Sequence, residues 1–106
     1  MTDIWRSFIA QRIAWTCDWN VLFHEASVFQ ERNEHNLMND FQEELPGYCN
    51  NKLIMQRLQS LKLREGVEHI SENLLACYKE LIAMELIGNE EMPLVQAWIK
   101  DMRSLI

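Results

Sequence analysis

The sequence predicts a mainly α fold: about five helices in one compact bundle, with a single strand-like run near residues 20–24. Three observations carry this. Residues 67–87 read VEHISENLLACYKELIAMELI, with apolar side chains at Val67, Ile70, Leu74, Cys77/Tyr78, Leu81/Ile82 and Leu86, the spacing of one face of an α-helix. Charges fall mostly between them, at Glu68, Glu72, Lys79, Glu80 and Glu85. Breakers are few, three Gly and two Pro in 106 residues, which favours long helices over a many-turned β sandwich. A helix over 67–87 spans roughly 30 Å at ~1.5 Å per residue, the width of a small domain, so the shorter helices must pack on it.

In chain order, Thr2-Asp3 can cap a helix running to about residue 17. Trp5, Phe8, Ile9 and Ile13 line one face, while Trp15 and Trp19 lie off it and hint at a second apolar surface. Residues 20–24, NVLFH, resemble a strand buried on both sides, yet one strand cannot make a sheet. Residues 24–36 are polar and irregular. Helix resumes near Asn36 with Leu37/Met38, Phe41 and Leu45 inward, and Pro46-Gly47 is the clearest turn. Asn50 can cap the next helix, with Leu53/Ile54, Arg57/Leu58 and Leu61 at helical steps. After a connector at 62–66 comes the long helix, which Gly88 suits as a terminator. Glu90, Glu91 and Pro93 then suit the start of a last helix, with Leu94/Val95, Trp98/Ile99 and Met102 inward. The short Gly88-Asn89 link makes the last two helices an antiparallel pair.

One domain of this length can bury a core without staples. Sixteen acids against ten bases give a net charge of −6, which weakens the case for nucleic acid or an anionic membrane as partner. Cys17, Cys49 and Cys77 read as buried thiols of a reducing, cytoplasmic compartment. No apolar run is long enough for a membrane span, and Asp3 and Arg6 interrupt the start of any signal peptide.

Motif chemistry is sparse. His24, His35, His69 and the cysteines show no metal-ligand spacing, so neither metal nor cofactor is expected. Glu43-Glu44 and Glu90-Glu91 are adjacent carboxylates, which diverge by ~100° on a helix and do not flank a common bond. Nothing cradles a phosphate through glycine. One charge pattern stands out. Residues 31–44 hold five acids and one base, whereas residues 52–64 hold four bases and no acid. A helix, a Pro-Gly turn and a basic helix suggest a helix-turn-helix over 37–61, reading DNA or RNA through Asn50, Asn51, Lys52 and Arg57. The plainer reading is that the two charge blocks neutralise each other across neighbouring helices.

Asp3-Ile4-Trp5-Arg6 with Gln11-Arg12, and Ala97-Trp98-Ile99-Lys100-Asp101 near the other end, resemble the D-I-W-R…Q-R and A-W-[LI]-x-D patterns of the STELLO-type glycosyltransferase-like family. The resemblance spans nearly all of the chain. Where plant members have prolines after the strand, this chain has His24-Glu25-Ala26. A nucleotide-sugar domain of this type needs a parallel sheet and an acidic pair holding a divalent metal, and the resemblance puts both before residue 1. It implies that residues 1–24 end a catalytic domain and residues 36–106 form a helical tail. Asp3 would then be a general base on an acceptor hydroxyl, and Arg6, one turn on, would meet phosphate. The isolated chain is expected to have no turnover and to hide its off-face tryptophans by forming a homodimer. The alternatives are the nucleic-acid-binding module and a free-standing protein-interaction domain.

Overall fold

The computed structural model describes residues 2–31, 34 and 36–105. Among them are four α-helices: α1 (Thr2–Thr16), α2 (Leu37–Ser60), α3 (Ile70–Ala83) and α4 (Glu91–Ser104), with a 3-10 turn at Val67–His69 leading into α3. The helix predicted at 67–87 is thus shorter at both ends, but it is central as expected: α3 packs on α1, α2 and α4.

The core follows the helical spacing. Trp5, Ile9 and Ile13 of α1, Ile54 and Leu58 of α2, Cys77, Tyr78 and Leu81 of α3, and Val95 and Ile99 of α4 form one buried cluster. The sets step by four residues, apart from the adjacent pair Cys77 and Tyr78 in α3, so each helix turns one stripe to the same centre.

Helix boundaries have local causes. α1 already includes Thr2 and Asp3 in its first turn, so neither is the residue before it. Asn36 caps α2, its side chain accepting from the backbone N–H groups of Met38 (3.0 Å) and Asn39 (3.3 Å). α1 and α3 end alike. Asp18 has φ 57° and Glu85 φ 61°. Trp19 N–H reaches back to Ala14 O and Leu86 N–H to Leu81 O, while Asp18 and Glu85 donate to Trp15 O and Ile82 O. These paired bonds close each helix in a left-handed residue. An acidic side chain therefore fills the role expected of Gly88, and the link to α4 covers 84–90. Pro93 sits in the first turn of α4, as predicted.

Three expectations need correction. Pro46-Gly47 is no turn: α2 runs unbroken through it, so no helix-turn-helix forms over 37–61. Proline removes a single N–H, the one that would reach Gln42 O. The 23 other residues of the 24-residue helix, the Asn36 cap and the buried Gly47 outweigh that loss. Asn50 accordingly sits mid-helix, donating from Nδ2 to Pro46 O at 2.7 Å. Residues 20–24 are not a strand. The described part of 20–36 has no regular structure, and among the described residues no second strand completes a ladder. Finally, Leu37, Met38, Phe41 and Leu45 point to solvent, because the first half of α2 extends past the core. The radius of gyration, 15.7 Å, exceeds the ~13 Å of a compact chain this long, in keeping with that extension and with the exposed residues 18–31.

Candidate functional site: a groove between three helices

α1, α3 and α4 meet around a groove of about 390 Å³. Arg6 of α1 and Glu91 of α4 close one side, with Nη2 and Oε2 2.9 Å apart. Leu74 and Tyr78 of α3 form the floor, and Val95, Leu94 and the half-exposed Trp98 complete the α4 wall. Sequence order dictates the grouping. Tyr78 and Leu74 are four apart on α3, and Glu91, Leu94, Val95 and Trp98 step along α4 by three, one and three. Glu91 stands in the first turn of α4, where a carboxylate also meets the positive end of the helix dipole. The Glu91 hydrogen bond is the main reason the Arg6 guanidinium is held above its ordinary value, with burial working against it. Arg6 therefore presents a cation, part neutralised by Glu91, in a groove also lined by an indole and a phenol. An apolar wall with a few convergent polar groups can hold a ring-shaped ligand with a polar rim.

Asp3 lies one turn from Arg6 and is exposed, with Oδ1 accepting from Ile4 N–H at 3.0 Å. The groove is lined by Arg6 and not by Asp3. The four side chains named for nucleic acid do not share one face of α2, since Asn50, Asn51 and Lys52 diverge by ~100° per residue. Asn51 Oδ1 accepts from the Trp5 indole at 2.9 Å. Arg57 pairs with Glu80 of α3 at 3.3 Å. Asn50 bonds within its own helix, and Lys52 is exposed. Part of the basic block is thus neutralised by α3, not by the acidic half of α2: Arg64 also lies 3.9 Å from Glu72.

Of the thiols, Cys77 is buried, Cys17 half-buried and Cys49 exposed; the expectation for Cys49 fails because it lies away from the inner face of α2. Burial pushes the Cys77 thiol up to about 11, Arg12 pulling slightly the other way. Among the described residues no group of His, Cys, Asp and Glu comes together to hold a metal. His35 lies outside the described residues. No described helix is long and apolar enough to cross a membrane.

Two residues that sequence reasoning passed over as sites organise the fold. Arg12 donates from Nε to Leu58 O (2.7 Å) and from Nη2 to Leu61 O (2.8 Å), closing the carboxyl end of α2. Asn73, buried in α3, accepts from Arg64 N–H at 3.2 Å and donates to Arg64 O at 2.8 Å and Thr16 Oγ1 at 3.4 Å. Asn73 falls on the inner stripe with Ile70 and Cys77, and a lone amide at such a position is the signal that marks it.

These features define a small all-helical module with a charged, aromatic groove at a three-helix junction. A family model described as STELLO glycosyltransferases matches residues 1–106. The chain belongs to that family and is glycosyltransferase-like. No curated protein and no solved structure matches it. The residues carrying the family pattern near the start prove to be ties between helices: Trp5 to α2, Arg6 to α4 and Arg12 to the end of α2. Trp98, from the pattern at the other end, lines the groove.

Proposed function

We propose that this chain is the C-terminal helical part of a glycosyltransferase-like protein. It has no turnover of its own and works by docking on the part that binds the nucleotide sugar. One observation carries the reading. Trp15, Trp19, Val21, Leu22, Phe23, Val28 and Phe29 stand in solvent within one short stretch, Phe23 91% and Phe29 87% exposed. Fully burying one such phenylalanine is worth ~1.5–3 kcal/mol, so a surface of this kind is a docking surface. In the assembled protein Asp3 takes the proton of an acceptor hydroxyl. Arg6, held in place by Glu91, faces the phosphate side.

Two measurements test this. Backbone NMR of the chain titrated with uridine- and guanosine-diphosphate hexoses plus Mn²⁺ should show no saturable shift and no released nucleotide. Saturable shifts centred on Arg6, or turnover, would overturn the reading. Hydroxyl-radical footprinting should find Phe23 and Phe29 reactive in the chain alone and protected when an α/β nucleotide-sugar-binding domain of the same family is added. Unchanged reactivity counts against docking.

A further inference from the structure

A second unpartnered surface runs along α2, and it is independent of the docking stretch. Gly47, Ile54 and Leu58 mark the inner face of the helix. Roughly 130° round from that face, at ~100° per residue, lie Met38, Phe41, Leu45, Tyr48, Lys52 and Met55. Their steps are three, four, three, four and three, the spacing of a coiled-coil seam. All six are exposed, Tyr48 by 70% and Met38 by 68%. The seam is partly ordered already: the Phe41 and Tyr48 rings stand 6.0 Å apart, and the Tyr48 hydroxyl donates to Glu44 at 3.4 Å.

The charges that border the seam say what covers it: Glu44, one position before Leu45, and Lys52 within it. Asp40, Glu43 and Arg57 lie ~100° or more round the helix, and Arg57 pairs with Glu80. A parallel copy would set Lys52 on Lys52 and Glu44 beside Glu44. An antiparallel copy brings each Lys52 within a turn of the other copy's Glu44, twice by symmetry, and opposes the two helix dipoles. We propose that α2 pairs antiparallel with α2 of a second copy of this chain along this seam. The heptad register sets Met38 against the other copy's residue 55, Phe41 against its residue 52 and Leu45 against its residue 48. Lys52 then lies over a phenylalanine ring with Glu44 within a turn of it, a cation-π contact with counter-charge nearby. Pro46 stays off the seam, so its missing N–H does not interrupt the contact.

Sedimentation equilibrium tests it. The chain should be a dimer at tens of micromolar. Tyr48→Glu, which puts a carboxylate on the two-fold seam, should weaken the dimer about 100-fold with helicity unchanged by circular dichroism. Lys52→Glu leaves the apolar residues in place and should weaken it by roughly tenfold. Direction is read by cross-linking in a Cys49→Ser background: a mixture of Met38→Cys and Met55→Cys chains should form the mixed disulfide, and Met38→Cys alone should form none. A monomer at tens of micromolar overturns the proposal, as does a dimer indifferent to both charge substitutions. Disulfides between two copies of Met38→Cys would also overturn it, by showing parallel pairing.

Discussion

Replacing Asn73 by alanine should destabilise the protein by about 2–3 kcal/mol. Asn73 is 2% exposed, and its amide answers both backbone groups of Arg64 as well as the Thr16 hydroxyl. Alanine removes all three bonds. Thr16 keeps a partner, because its hydroxyl also donates to Ile13 O at 2.6 Å. The loss therefore comes mainly from two hydrogen bonds to Arg64, at ~1 kcal/mol each, plus the small cavity left by the amide. In a domain of this size 2–3 kcal/mol lowers Tm by roughly 10–20 °C. Urea unfolding followed by circular dichroism should show the midpoint falling with an unchanged slope. Arg64→Ala is the control: it keeps the backbone bonds and removes only an exposed ion pair with Glu72, so it should cost under ~0.5 kcal/mol. A loss below about 0.5 kcal/mol for Asn73→Ala would refute the claim that this amide clamps the connector between α2 and α3.

Three further outcomes follow from the same structure. Arg12→Met should cost about 1.5–3 kcal/mol in urea unfolding by uncovering the last carbonyls of α2; Arg12→Lys should recover only part, since one ammonium cannot reproduce the two-pronged contact. Cys77 should resist alkylation in the folded chain at pH 8 while Cys49 reacts, as peptide mass mapping would show. Because burial holds the Cys77 thiol near 11 against an ordinary 9.0, the unfolded chain loses that proton first as pH rises. The Cys77 contribution is intact below pH 9 and is lost between about 9 and 11; Cys77→Ala should flatten that alkaline fall.

What the sequence disclosed, and what it concealed, follows from how far each cause reaches along the chain. Periodicity is local, so the buried stripes Trp5/Ile9/Ile13, Ile54/Leu58 and Val95/Ile99 and the central place of α3 were all readable. The Asn36 start of α2 and the Pro93 turn of α4 were readable for the same reason. Pro46-Gly47 misled because a turn signal states only what the local backbone prefers. Whether the helix continues depends on the sum over both flanks and on what packs at Gly47. Residues 20–24 misled because a strand exists only with a partner. At the candidate site, Arg6 is legible as a site residue and Trp98 only as part of the family pattern, and their meeting needed α1 and α4 to be brought together. Glu91, 85 positions from Arg6, had no local mark beyond suiting a helix start.

The ties that α1 makes with its side-chain tips reach 46, 57 and 85 positions along the chain, to Asn51 and Leu58, to Asn73 and to Glu91. Residues 18–31 of the segment that joins α1 to α2 lie open to water. Covalent continuity across that segment is therefore not what keeps α1 in its seat. A protease nick there leaves a first piece lodged in the second by Trp5, Arg12 and the buried isoleucines. Two separately made peptides, one ending before the nick and one beginning after it, have the complementary surfaces to reassemble into the same three-helix junction.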